Sequence, residues 1–121
     1  MIKFDLDQSK TECKQAVIWC LGTYDVICKK YIKIQQYCHN KDFDIINIFG
    51  IISKNIDNER TNFKKMLEFV KREKEKTAIV MYDNKQLPQL PFLKNELMNL
   101  VTKNQIELHY VNDRIRLSSI K

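Results

Sequence analysis

The sequence predicts an α/β fold, a three-layer αβα domain whose mostly parallel four-stranded sheet carries helices on both faces. Three short, almost purely apolar runs predict buried strands, and they lie at 16–21, 45–49 and 78–82. Such runs are typical of strands that are covered on both sides, as in parallel sheets. The segments between them are too long for hairpins and show helical periodicity, so we expect parallel crossover connections.

Amphipathic spacing predicts a helix after each of these strands. The first apolar stripe consists of Ile27, Tyr31, Ile34 and Cys38. Residues spaced three and four apart in this way share one face of a helix. Residues 51–58 have loop character, and a second stripe follows at 63–70. A third helix is predicted to begin at Pro91, because proline suits the first turn of a helix.

The last part of the chain predicts a fourth strand, in which Ile106, Leu108 and Tyr110 alternate with polar residues. The same alternation at Ile115 and Leu117 is compatible with a short fifth strand at the sheet edge. Residues 1–14 are mainly polar and are interpreted as an N-terminal extension. Residues 15–121 then form one domain of ordinary size.

Composition excludes several classes of protein. No apolar stretch is long enough to span a bilayer, and the N-terminus lacks the apolar core of a signal peptide, so no membrane association is expected. The four cysteines lack the paired spacing of a zinc site, and a domain of this size needs no disulfides. The chain also lacks a glycine-rich phosphate loop. We therefore expect a cytoplasmic protein with reduced thiols, no metal and no cofactor.

The net charge of +6 leaves nucleic-acid binding open. A basic chain is attracted to phosphate backbones. The lysines are scattered, however, which is also typical of a solvated surface, and richness in Lys, Asn and Ile is what an AT-rich genome produces.

Polar residues follow the predicted strands, at the edge where parallel sheets usually bind ligands. Asp25 and Asp83 could hold a hard cation or could cap the segments that follow them. Tyr24 and Tyr82 could stack on bases or could simply pack at strand ends. His109 has no serine or cysteine at triad spacing and is interpreted as structural.

Several segments, taken in order across residues 16–117, resemble the catalytic domain of the serine recombinases, the resolvases and invertases. The family's first-strand motif holds an aromatic, a small residue, an Arg and the nucleophilic Ser, and it falls on residues 19–23, Trp-Cys-Leu-Gly-Thr. The family's helix and second strand are similar to 36–49. Its acidic–Arg pair before a Phe and a helix is similar to 59–67. Its third strand, ending in Tyr, is similar to 80–82.

The resemblance implies roles for individual residues. Thr23 stands at the position of the family's nucleophilic serine, and Leu21 stands at that of the first-strand arginine. Arg60 matches an arginine of the family's cluster. The loop after the third strand has Lys85, Gln86 and Gln89 where the family has its Asp, Arg and Arg. The candidate catalytic residues are therefore Thr23 and Arg60, and Lys85 and Lys54 are the candidate DNA contacts.

The positions at which this chain differs from the serine recombinase family are those that carry out the family's reaction. Attack on a phosphodiester builds negative charge, which arginine forks stabilise, and loss of one such donor costs about 10²–10³ in rate. The resemblance, together with these differences, implies an inactive recombinase-like domain, either an interaction or regulatory module or a remnant of a mobile-element recombinase. The alternative is a DNA-binding or strand-exchange protein with a threonine nucleophile.

The expected partners are DNA through nonspecific phosphate contacts, a second copy of the chain, or another recombinase-like protein. The family's dimerisation helix and its DNA-binding domain would follow the last strand, and residues 15–121 are not expected to include them.

Overall fold

The computed structural model describes residues 12–51, 56–87 and 90–112, and within these ranges strands and helices alternate along the chain. The strands are β1 (Gln15–Leu21), β2 (Asp44–Ile51), β3 (Thr77–Met81) and β4 (Ile106–Tyr110). The helices are α1 (Tyr24–Asn40), α2 (Ile56–Arg72) and α3 (Pro91–Thr102). A short 3-10 turn, Asn84–Gln86, follows β3. The predicted α/β class is confirmed.

The four strands form one sheet in the order β2-β1-β3-β4, and every neighbouring pair is parallel. β1 and β3 lie in the middle, which explains why both are apolar on both faces. β2 pairs with the whole of β1, whereas β3 pairs with it only from Gln15 to Ile18. The four-stranded parallel sheet is thus as predicted, and residues 115 and 117 lie outside the described residues.

Helices cover both faces of the sheet, as the three-layer prediction requires. On one face, α1 packs Ile34 and Cys38 against Ile18 of β1. On the other face, α2 and α3 share a core with Trp19, whose ring meets the ring of Phe63 edge-on at a centroid distance of 5.0 Å. Alternate residues of β1 therefore belong to different cores, as strand geometry dictates.

The second helix begins earlier than the sequence predicted. Residues 51–58 were expected to form a loop, but β2 extends to Ile51 and α2 begins at Ile56. The prediction for 56–58 was wrong because acidic and amide residues favour loops and first helical turns alike. Cys20 of β1 is buried in the core that α1 covers.

Gly50 of β2 generates a prediction about strand register. A Cβ atom at this position would collide with the carbonyl oxygen of Cys20 on β1, so a side chain would push the two backbones apart. We expect Gly50→Ala to lower the free energy of unfolding by about 1–3 kcal/mol in urea titrations. The control is Ile48→Val, because Ile48 lies on the same strand and is half-exposed. This substitution should change the free energy of unfolding by less than about 0.5 kcal/mol. An unchanged Gly50→Ala protein would contradict this pairing of β1 with β2.

Thiol reactivity provides a test of how α1 lies on the sheet. Cys28 is exposed, whereas burial raises the pKa of the Cys38 thiol to about 11 and also raises that of Cys20, against an opposing effect of Lys30. Alkylation requires the thiolate. At pH 8 we expect iodoacetamide to modify Cys28 quickly and to modify Cys20 and Cys38 only after unfolding in urea, as followed by peptide mass spectrometry. Equal rates at Cys28 and Cys38 in the folded protein would show that α1 does not cover the sheet.

Candidate functional site

The boundary between β1 and β3 is the place in this fold where a ligand crevice is expected. The chain leaves β1 towards α1 on one face and leaves β3 towards α3 on the other. A change of direction of this kind opens a crevice at the carboxyl ends of the strands. Pairing between the two strands ends at Ile18 and Val80, so their last residues are free to diverge.

The 3-10 turn after β3 folds back against the end of β1 and occupies this position. Gln86 is buried, and its side-chain Oε1 accepts the backbone N–H of Leu21 at 2.9 Å. Its backbone carbonyl accepts the indole N–H of Trp19 at 2.8 Å. These two hydrogen bonds, which we call the Gln86 clasp, replace the missing ladder between β1 and β3. The crevice therefore contains a protein side chain.

Thr23 lies directly beyond the clasp and begins α1. It is the N-cap residue: its hydroxyl oxygen accepts the backbone N–H of Val26 at 3.4 Å, and its carbonyl accepts that of Ile27 at 2.9 Å. The side chain is exposed. Within the described ranges no carboxylate or imidazole hydrogen-bonds to this hydroxyl, so it has no base to remove its proton. An N-cap threonine is commonly worth about 1 kcal/mol to the helix.

Lys85 lies on the turn that supplies Gln86. Its backbone N–H donates to the carboxylate of Asp83 at 3.0 Å, and its side chain is exposed at the carboxyl edge of the sheet. Asp83 thus caps the turn, which is one of the two roles that its position suggested. Thr23 and Lys85 follow neighbouring strands, so the structure brings these two predicted residues to the same edge.

Arg60 lies on another surface. It lines an open groove of about 450 Å³ between α2 and the start of α3, and neither Thr23 nor Lys85 contributes to this groove. The remaining lining residues are Thr61, Lys64, Lys65, Glu68 and Phe92. Lys54 and Gln89, which the sequence also singled out, lie outside the described residues.

A second feature of the carboxyl edge was not predicted. The ammonium groups of Lys30 and Lys33, on α1, lie 5.2 and 5.7 Å from the ring centroid of Tyr82, which directly follows β3. We call these three residues the lysine–tyrosine cluster. Their spacing in the sequence gave no signal, because residues 33 and 82 meet only in the folded chain. Cations within about 6 Å of an aromatic ring are attracted to its face.

His109 has partners that sequence spacing did not reveal. Its Nδ1 lies 2.6 Å from the Tyr37 hydroxyl and its Nε2 lies 2.8 Å from a carboxylate oxygen of Glu107. Glu107 also faces Lys76 at 3.8 Å. Burial alone would lower the pKa of Lys76, but its ion pairs with Glu107 and with Glu12 outweigh burial and raise it. This network ties α1 to β4 through half-buried side chains.

In the described ranges no group of three or more His, Cys, Asp or Glu side chains is arranged to hold a metal ion. None of the helices there is long and apolar enough to cross a bilayer. No family model, no curated protein and no solved structure matches the chain.

The Gln86 clasp can be tested through stability. Gln86→Leu keeps the volume roughly constant but leaves the Leu21 N–H without its acceptor, and a buried amide without a partner costs about 1–3 kcal/mol. We expect that loss of unfolding free energy in chemical denaturation. The matched control is Lys85→Met at the neighbouring exposed position, which should change stability by less than about 0.5 kcal/mol. Equal effects of the two substitutions would show that Gln86 does not hold the strand end.

Proposed function

We propose that this chain is a serine recombinase-like domain that acts by binding and not by catalysis. One observation carries the proposal: Gln86, at a position where the family has an arginine, is buried in the β1–β3 crevice and hydrogen-bonded to β1. An amide in this place supplies no positive charge to a phosphoryl group. A substrate would also have to displace it from the Leu21 N–H before reaching the crevice.

The state of Thr23 supports the same proposal. Phosphoryl transfer to a hydroxyl needs a base for its proton and donors for the developing charge. The Thr23 hydroxyl accepts a helix N–H and has no base beside it in the described part of the chain. Lys85 on the same edge offers a point charge without the bidentate geometry of arginine. Arg60 lines a groove that contains neither residue.

The proposal predicts that the protein does not cut DNA. We expect purified protein to leave a supercoiled plasmid intact and to form no covalent protein–DNA complex that survives denaturing electrophoresis. Thr23→Ser should behave in the same way, because restoring the family's hydroxyl type restores neither a base nor the arginine donors. Cleavage that Thr23→Ala abolishes and Thr23→Ser retains would overturn the proposal.

A second candidate function is nonspecific nucleic-acid binding. The observation that favours it over a purely protein-binding role is a set of lysines at the carboxyl edge, namely Lys30, Lys33 and Lys85. Within the described residues none of the three ammonium groups lies within 4 Å of a carboxylate.

We also propose that the protein works in a reducing, cytoplasmic environment, which the absence of disulfide bonds among its four cysteines supports.

A further inference from the structure

We infer that the lysine–tyrosine cluster, together with Lys85, is a binding site for the phosphate backbone of nucleic acid. The inference rests on the second candidate function and assigns it to one surface, where α1 meets the carboxyl ends of the strands. Two ammonium groups converge on one ring there, and Lys85 extends from the adjacent turn.

The convergence of charge is the first argument. Lys30 and Lys33 are one helical turn apart, and both ammonium groups lie within 6 Å of the Tyr82 ring centroid. Like charges on neighbouring side chains repel each other, and the attraction of each ammonium group to the ring opposes that repulsion. In the part of the chain that the structure describes, no carboxylate forms an ion pair with either lysine. An anion placed between them would relieve the repulsion.

The position of Lys30 is a second and independent argument. Its positive charge acts on the thiol of Cys20, a residue that is 2% exposed in the core beneath α1, and there it opposes the rise in pKa that burial causes. Lys30 is itself half-buried, so its ammonium group lies close to the sheet. Partly desolvated charges are screened less by salt than fully exposed ones, which favours an anion beside this lysine.

The shape of the surface favours a polymer over a small phosphate compound. Gln86 occupies the crevice, and the lysines lie on the surface around it. Lys29 adds a further exposed charge beside the cluster, and among the described residues the acidic side chains nearest to the cluster in the sequence are Asp25 and Asp83. The four lysines, Lys29, Lys30, Lys33 and Lys85, outnumber these two aspartates. A line of point charges on an open surface suits successive phosphates of one chain.

The chemistry of the cluster also predicts its selectivity. Lysine ammonium groups are point charges and lack the paired N–H donors with which the arginine guanidinium group forms two hydrogen bonds to guanine. Both ammonium groups lie near the Tyr82 ring, which therefore contacts cations of the protein itself. Binding should therefore depend on phosphates and hardly at all on base sequence.

The groove on α2 is the competing surface. It holds Arg60, Lys64 and Lys65 but also the carboxylate of Glu68. Arg60 is already engaged in an interaction within the protein. These features make the groove the weaker candidate for a polyanion, and the experiment below separates the two surfaces.

The test measures fluorescence anisotropy of a labelled oligothymidine and of a mixed-sequence duplex, each about 20 nucleotides long. Salt is varied from about 50 to about 200 mM. Lys30→Gln/Lys33→Gln is compared with Lys64→Gln/Lys65→Gln on the groove and with Lys94→Gln/Lys103→Gln on α3 and the residue that follows it. Each double variant loses the same charge at exposed or half-exposed positions, so net charge is matched. Circular dichroism melting curves check that all three fold.

We expect the first double variant alone to weaken duplex binding about tenfold and to reduce the salt slope by about two. Equal weakening by all three would show that binding follows overall charge and would overturn this site. Selective weakening by Lys64→Gln/Lys65→Gln would place binding on the groove and overturn it as well. No binding by the natural chain at low salt would overturn the inference and the second candidate together. The loss of catalysis is judged separately, by the plasmid assay.

Discussion

The fold depends on the way a glutamine replaces the missing end of a β-ladder. β1 lies in the centre of the sheet, but β3 pairs with it only as far as Ile18. The backbone N–H of Leu21, further along β1, therefore donates to a side chain instead of to β3. Gln86 provides that acceptor from its side chain and binds the Trp19 indole through its backbone. Buried polar groups of the main chain must be satisfied in this way. One residue of a short turn therefore keeps the two central strands together where they diverge.

Gln86 affects both the packing of the core and the space that is left for a ligand. Trp19 belongs to the core beneath α2 and α3, so the clasp attaches the turn to that core as well as to the strand end. The crevice between β1 and β3, where a ligand would ordinarily bind, thus holds hydrogen bonds that stabilise the fold. On the α1 side of the carboxyl edge, by contrast, the ammonium groups of Lys30 and Lys33 lie near the Tyr82 ring and form no ion pair with a carboxylate of the described residues.

Sequence reasoning recovered the features that follow from burial. Apolar runs identified the strands, and the stripe that contains Ile34 and Cys38 identified the buried side of α1, because hydrophobic burial leaves a period in the chain. Hydrogen bonds between residues that are distant in the sequence leave no such periodic pattern. Gln86 looks like any loop residue until its acceptor role is seen, and the start of α2 was missed because its polar first turn resembles a loop. The serine recombinase resemblance, including the roles of Thr23 and Arg60, stays a prediction.

The hydrogen bonds of His109 have a consequence for how the chain folds. With the imidazole neutral, Nε2–H donates to Glu107 and Nδ1 accepts the Tyr37 hydroxyl, which connects residues 72 positions apart. The pairing of β1 with β3 likewise encloses a long segment of chain, which contains α1, β2 and α2. Contacts between distant residues slow folding, because the intervening loop must close first. The C-terminal end of α1 therefore takes one of its hydrogen-bond partners from β4, the last strand described, and we expect contacts across this much chain to make folding slower.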